Sequence, residues 1–200
     1  MELHQFFKQL DDMGQDDAAT PLERLLLYAL VRNIQPKVCI EIGTHRGLST
    51  LAIAKALKDN GGGVVHTIDP KNWGHFFDSF GLQDYVIYHE TESRRFTPPE
   101  CDFIFFDGLH EYEEIQAEMD LYLPKLSKYG VAVFHDAAGD GPTVGTNKAL
   151  LDYGLESVWI PTGNCLRIYG KCKTPDNSYL AINSARAAQG HPRVSPEPNV

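Results

Sequence analysis

The chain predicts an α/β fold built around a mostly parallel sheet, and three short segments carry that expectation. Val38 to Ile42 is an apolar run that meets Gly43 and Gly47 before a helical stretch. Val64 to Asp69 and Asp102 to Asp107 are two more strand-like runs, each ending in a carboxylate. In an open parallel sheet, the carboxyl ends of such strands fall along one crevice where ligands bind. Strands alternating with helical stretches favour a sheet covered by helices.

Residues 1 to 10 fit a short amphipathic helix, and Asp11 to Ala19, with Gly14 and an acidic cluster, reads as a connection. Thr20 then starts a clearer helix. Proline suits the first helical position at Pro21, and Glu23 completes a capping box before an apolar stretch through Val31. After the first strand, Ser49 to Asp59 reads as a helix, and Gly61-Gly62-Gly63 breaks it before Val64. Trp73 to Phe80 is expected as a short helix, Tyr85 to Tyr88 as a third strand and Asp102 to Phe106 as a fourth. Ile115, Met119, Leu123 and Leu126 recur at helical spacing within Glu111 to Leu126, with Gly130 ending that unit. Val131 to Phe134 is the fifth strand, and Val144 to Leu151 a further helix. Ser157 to Pro161 and Leu166 to Tyr169 flank Thr162-Gly163-Asn164 and predict an antiparallel hairpin at the sheet edge.

This organisation gives an N-terminal helical segment over 1–35, packed on the core or covering its entrance, and a ligand-binding core over 36–182. Residues 183–200 mix Arg, Ala, Gly, Ser and Pro without a sustained apolar face, as a tail or an arm in a homo-oligomer. A length of 200 residues suits one domain with a sizeable core. Eighteen Lys and Arg against 27 Asp and Glu give a net charge of -9, which disfavours nucleic acid and anionic membranes as partners. Tyr85, Tyr88 and Tyr112 make no RNA-binding signature. Cys39, Cys101, Cys165 and Cys172 are widely spaced with no C-x-x-C pair, so they are expected as thiols. The first residues lack the basic start and apolar run of a signal peptide, and no run approaches the ~20 apolar residues that span a membrane. Cytoplasm is the expected location.

Gly43 and Gly47 permit a tight or left-handed turn and close approach of a ligand to the backbone. A nicotinamide fingerprint would need glycines at 45 and 48, where His45 and Leu48 stand. The pair alone reads equally as an ordinary strand-to-helix turn.

Glu41-Ile-Gly-Thr-His-Arg-Gly-Leu-Ser49 followed by Asp69 resembles class I S-adenosylmethionine-dependent methyltransferases. Asp107-Gly-Leu-His-Glu-Tyr112 and Gly130-Val-Ala-Val-Phe-His-Asp136 narrow the resemblance to small-molecule O-methyltransferases of the macrocin and sugar-hydroxyl group. It covers about residues 22 to 170. The resemblance implies a Rossmann-like, mostly parallel seven-stranded sheet with helices on both faces. It also implies transfer of a methyl group from S-adenosylmethionine to a hydroxyl of a small molecule, a sugar or other polyhydroxylated natural product. The cofactor roles fall on Glu41, Gly43, Gly47, Ser49 and Asp69, with Asp69 on the ribose hydroxyls.

Physical chemistry gives each residue a plain alternative. Asp69 can accept two hydroxyl hydrogen bonds, or simply end a strand at the surface. Glu41 can meet the cofactor's amino group, organise the glycine loop or satisfy buried polar groups. Ser49 can touch ligand or cap the following helix. Thr91, Glu92 and Ser93 follow the third strand, where the family places residues against adenine, and an ordinary capping role is equally open. Asp107 and Asp136 end neighbouring strands and can share a divalent cation, magnesium by its preference for oxygen, or support loops. The residue after Asp136 is Ala137, which offers no ligand where many family members have one; Asp140, Asn147 or the acceptor's hydroxyls can fill part of the gap. His110 is the candidate general base, or a local hydrogen-bonding residue, while His135 is expected to support it. Tyr112 shapes the acceptor entrance or packs, and Trp73, Phe76, Phe77 and Phe80 wall that entrance or pack a helix. Two rival functions stand beside methyl transfer: a non-catalytic S-adenosyl-ligand-binding protein, which Ala137 motivates, and a nicotinamide-dependent oxidoreductase.

Overall fold

Alternation along the central strands decides how the molecule is layered. The computed structural model describes residues 2–13, 19–74, 77–138 and 144–171. Its strands are β1 (Val38–Ile42), β2 (Val64–Asp69), β3 (Val86–Glu90), β4 (Cys101–Phe106), β5 (Leu126–Phe134), β6 (Val158–Ile160) and β7 (Leu166–Gly170). Its helices are α1 (Leu3–Asp12), α2 (Pro21–Ile34), α3 (Leu48–Asp59), α4 (Tyr112–Tyr122) and α5 (Val144–Tyr153). The strands form one sheet in the order β3-β2-β1-β4-β5-β7-β6. Pairing is parallel from β3 to β5 and antiparallel at β5-β7 and β7-β6.

Side chains of successive strand residues point to opposite faces. Cys39, Val65, Phe103, Phe105 and Val133 are therefore buried on one face with Leu27 and Val31 of α2 and Leu51, Ala54 and Leu57 of α3. Ile40, Ile42, Ile104, Phe106 and Phe134 are buried on the other, against Ile115, Met119 and Tyr122 of α4 and Leu150 of α5. Removing a large buried ring such as Phe105 would cost about 3–5 kcal/mol through lost burial and the cavity left behind. Phe6 and Leu10 of α1 join the first core.

The α2 start forms as its sequence requires. Thr20 Oγ1 accepts from the Glu23 amide at 3.3 Å, and the Glu23 carboxylate accepts from the Thr20 amide at 2.7 Å. Parallel registers Ile42↔Ile68 and Ile42↔Phe106 set the ends of β1, β2 and β4 side by side. Asp69 and Asp107 thus face the glycine turn.

Several elements differ from the sequence expectation. The helix expected over Trp73 to Phe80 is a 3-10 turn at Asp78–Phe80, with Trp73 44 % exposed; residue 76 lies outside the described residues. A 3-10 turn at Gln83–Tyr85 delays β3. The helix expected to reach Leu126 ends at Tyr122, where Pro124, which has no amide hydrogen, sits in a 3-10 turn at Leu123–Lys125. Gly130 lies inside β5 rather than before it, at a shift in the β4–β5 register between Cys101 and Phe103. A Cβ on Gly130 would stand 2.6 Å from Leu126 Cδ1, so a larger residue there would have to displace the Leu126 side chain. Cys39, Cys101 and Cys165 are free thiols. Cys172, Asp140 and the 183–200 tail lie outside the described residues. No helix among the described residues is long and apolar enough to cross a membrane.

Candidate active site

The turn after β1 is shaped by the strand ends around it. Gly43 has φ of +93° and donates its amide to the Ile68 carbonyl at 2.9 Å, while a Cβ there would stand 2.0 Å from the Asp107 carbonyl oxygen. Gly47, at φ of +83°, packs under Phe77, whose ring would lie 2.5 Å from a Cβ. Any other residue would push the β1 turn off β4 or off Phe77. Two non-glycine residues in the crevice also hold left-handed backbone, His45 at φ 46° and Asp136 at φ 49°. Such positions cost energy and gather at functional sites.

Glu41 sits beneath this turn. It is fully buried, and its Oε2 accepts from Thr67 Oγ1 at 2.6 Å and from Thr50 Oγ1. Thr44 and Thr67 hydroxyls are 2.6 Å apart, so the carboxyl ties the loop, β2 and α3 together. Burial pushes Glu41 up to about 7, against the pull of hydrogen bonds from Thr50, Thr67 and Ser49. It stands outside the residues lining the two cavities described next. Ser49 is not a cap: Gly47 occupies the cap position of α3, and Ser49 lies buried in the helix's first turn.

Two adjoining cavities open at the strand ends. The first, about 440 Å³, is walled by Ile42, Ile68 and Leu109 and carries Asp69, Glu92, Ser93 and Glu118. Asp69 accepts from the His45 amide at 2.9 Å and the Lys71 amide at 2.9 Å, one per carboxylate oxygen. Those bonds aim the carboxylate and leave lone pairs for hydroxyl donors. Trp73 stands at this cavity, edge-on to His45 at 4.8 Å between ring centroids. Ser93 makes no side-chain cap and instead donates to Glu118 at 2.7 Å.

The second cavity, about 550 Å³, is lined by the glycine turn, Ser49, Thr20, Asn164, Asp107, His110, His135 and Asp136. Asp107, His110, His135 and Asp136 offer one ligand atom each within 4.8 Å of one another. His110 Nε2 lies 3.0 Å from Asp136 Oδ2 and 4.0 Å from Asp107 Oδ1. His135 Nδ1 lies 2.8 Å from Asp107 Oδ1 and 3.3 Å from Asp136 Oδ2, and its Nε2 lies 3.1 Å from Glu23 Oε2. Burial opposes a charged His135, yet the carboxylates of Asp107, Asp136 and Glu23 raise its pKa well above the usual histidine range. Burial likewise works against an ionised Asp136, and the two imidazoles hold it below the usual carboxylate range. Gly145 brings α5 against this loop, since a Cβ there would stand 2.1 Å from the His110 carbonyl oxygen.

As a metal site the cluster offers two oxygen and two nitrogen donors. The carboxylates match magnesium's preference for oxygen and the imidazoles do not. Ala137 is buried, and its amide donates to the Cys165 carbonyl at 2.9 Å, so the position after Asp136 closes the loop and adds no ligand. Asn147 lies on α5, outside both lining sets.

Residues 40–137 match a family model described as a methyltransferase domain. Among solved structures, the chain is similar to the S-adenosylhomocysteine-bound methyltransferase PaMTH1 of Podospora anserina. The TM-score is 0.66 at 17% identity, over 86% of this chain and 87% of that one. The chain has a Rossmann-like methyltransferase fold. An O-methyltransferase from Bacillus cereus in complex with S-adenosylhomocysteine superposes at TM-score 0.67 and 16% identity, covering 84% of this chain and 91% of that one. TomG of Streptomyces achromogenes, an O-methyltransferase involved in tomaymycin synthesis and solved with S-adenosylmethionine, gives 0.66 at 17%, covering 84% and 90%. In sequence, the chain is 26% identical over 128 residues to the uncharacterized protein y4gI of Sinorhizobium fredii. That match covers 54% of this chain and only 14% of the relative's length.

On this methyltransferase fold, the second cavity draws on residues that motif reading does not reach. Glu23 accepts from Asn164 as well as facing His135, so α2, the β6–β7 turn and the end of β5 meet on one carboxylate. Its only sequence signal is the capping box. Tyr112 turns away into the α4–α5 contact, donating to Asp152 at 2.8 Å with Lys148 3.9 Å above its ring. Its packing role is therefore the one realised.

Proposed function

We propose that this protein transfers a methyl group from S-adenosylmethionine to a hydroxyl of a small molecule. One observation carries the reading: Gly43, His45, Asp107 and Gly108 line both cavities, so a pocket with an aimed carboxylate adjoins a pocket with paired imidazoles. The methyltransferase-domain match and the fold support it. Asp69 would hold the ribose hydroxyls, the apolar walls of its cavity the base, and the Gly43 to Ser49 turn the methionine portion. Bound S-adenosylmethionine supplies a methyl group on a sulfonium leaving group.

The chain's residues would prepare the acceptor. Asp136, facing His110 Nε2 at 3.0 Å, favours the tautomer protonated there and leaves Nδ1 as the proton acceptor. His110 Nδ1 is buried and has no hydrogen-bond partner among the described residues. A hydroxyl presented to it would lose its proton as oxygen attacks, and the imidazolium formed would be held by Asp136. His135, fixed between Asp107 and Glu23, supports the geometry. Asp107 and Asp136 would also hold a divalent cation, magnesium by oxygen preference, in competition with the imidazoles on the same oxygens. Such a cation lowers the pKa of a bound hydroxyl. A sugar or other polyhydroxylated acceptor follows from the motif resemblance, and the polar lining of the second cavity supports a hydroxyl-rich molecule.

The test is turnover with methyl-labelled S-adenosylmethionine and a panel of sugars, glycosides and catechols, in chelated and magnesium-supplemented samples. The expected result is label on an acceptor oxygen, depressed by chelation and restored by magnesium. Full activity in verified metal-free protein would remove the cation from the account. Absence of transfer despite tight cofactor binding would favour a non-catalytic binding protein.

A further inference from the structure

His66 on β2 and His89 on β3 are titratable groups that the proposed reaction does not use. His66 Nδ1 and His89 Nε2 lie 2.9 Å apart, in rings whose planes differ by 10° and whose centroids are 5.2 Å apart. Nitrogens that close, in near-parallel rings with that spacing, meet tip to tip rather than face to face. The contact is therefore an N–H···N hydrogen bond between two imidazoles.

The bond ties an edge strand to its neighbour. β3 pairs with β2 alone, and its Ile87 is 44 % exposed. The far end of β3 builds the first cavity. Glu90 stands opposite Asp69, the Thr91 amide donates to the Asp69 carbonyl at 3.1 Å, and Glu92 and Ser93 join the cavity's lining.

A neutral imidazole offers one donor and one acceptor. One added proton keeps the bond, as imidazolium to imidazole, but a second sets two N–H groups against each other. No carboxylate faces the pair to absorb that charge. Ile40, at the β1 register of His66, is apolar, and so is Phe96, whose ring centroid lies 4.4 Å from that of His89. Arg94 and Arg95 in the turn after β3 are paired with Glu114 and Glu92. Asp69 and Glu90 point to the opposite face of the sheet, by alternation along their strands. Burial lowers the pKa of both histidines, and His66 lowers that of His89 further. Histidines depressed in the fold contribute stability that is full above the ordinary value of about 6.5 and is lost as pH falls below it.

We propose that the His66–His89 pair is an acid-sensitive clasp: a second proton drives the rings apart, frees β3 from β2 and loosens the cavity wall beyond Asp69. The consequence for ligand rests on the S-adenosyl reading above; the clasp itself does not.

Amide hydrogen exchange of β3 in the ligand-free protein tests the clasp, with rates referred to the intrinsic rate at each pH. Opening that takes up one proton grows by up to about tenfold per pH unit. From about pH 7.5 to about pH 5.5, the opening constant of wild-type β3 should rise roughly tenfold or more. Glu41 and Glu118, both raised to about 7, hold more protons folded than unfolded, so their titration opposes this rise. His89→Gln can still bond His66 but offers no second proton site, so its rise should stay at about threefold or less. A flat opening constant in the wild-type protein, which needs no variant to measure, would overturn the clasp. So would an equal rise in a folded His89→Gln protein. At about pH 5.5, S-adenosylhomocysteine at about 100 times its Kd should suppress β3 opening roughly tenfold or more. Ligand that binds and leaves β3 opening unchanged would overturn the link to the cavity. Ligand that does not bind at all would overturn the S-adenosyl reading, with the ligand-free exchange still deciding the clasp.

Discussion

Asp69, at the first cavity, and Glu23, buried behind the His135 wall of the second, are held over very different sequence distances. Asp69 is aimed by amides two and 24 residues away. Glu23 reaches His135 across 112 residues and the Asn164 amide across 141. The first arrangement needs the pairing of β1 with β2; the second exists only once α2, β5 and the β6–β7 turn have packed. Substitution at Asp69 should therefore cost ligand more than fold, while substitution around Glu23 should cost fold first.

Glu23→Ala is expected to break that contrast hardest. It removes one partner of a buried ion pair and half of a capping box, and should lower unfolding free energy by about 3–5 kcal/mol in denaturant titrations. Retention of wild-type stability would place Glu23 outside the support of His135. Next comes His110→Gln, which keeps a hydrogen-bonding side chain but removes the imidazole nitrogen proposed to accept the proton. Methyl transfer should fall by roughly 100-fold with S-adenosylhomocysteine affinity preserved. Unchanged single-turnover rates would return His110 to a structural role.

Asp69→Ala should weaken S-adenosylhomocysteine by about 10- to 100-fold, through loss of two hydroxyl acceptors, and should lower stability by about 1–3 kcal/mol, less than Glu23→Ala, because the His45 and Lys71 amides lose their acceptor. A smaller effect comes from pH. Burial favours a neutral Glu23, but His135, Thr162 and the Thr20 amide lower its pKa to about 2 from an ordinary 4.5. A depressed carboxyl contributes stability above its unfolded pKa and loses it as pH falls through the folded value. The stability gap between wild type and Glu23→Gln should accordingly narrow from about pH 5 to about pH 2. A gap that widens in acid would reverse the assignment of charge.

The sequence makes the layered sheet legible because its signals are local: the nearly continuous apolar runs of β1 and β4, buried on both faces, the Thr20–Glu23 box, and the glycines at 43 and 47. It also brings Asp69, Asp107, His110 and Asp136 to one crevice, since parallel strands align their ends. Two structural features escape it for separate reasons. Pro124 and Gly130 look like helix and strand boundaries, yet a register shift lets β5 start at Leu126. His135 and Glu23 look like a supporting histidine and a cap because nothing local marks a pair closed over such a distance. Glu118 is readable in hindsight: a carboxylate three residues after Ile115 and one before Met119 interrupts the apolar stripe of α4 and calls for a partner.

The central claim is that one crevice holds an S-adenosyl ligand by Asp69 beside the His110 cluster. Calorimetry on the wild-type protein and on folded Asp69→Ala, with S-adenosylhomocysteine and with nicotinamide dinucleotides, tests it most directly. The account predicts preferential binding of S-adenosylhomocysteine by the wild-type protein, weakened by Asp69→Ala. Strong nicotinamide dinucleotide binding with no detectable S-adenosyl ligand binding would contradict it.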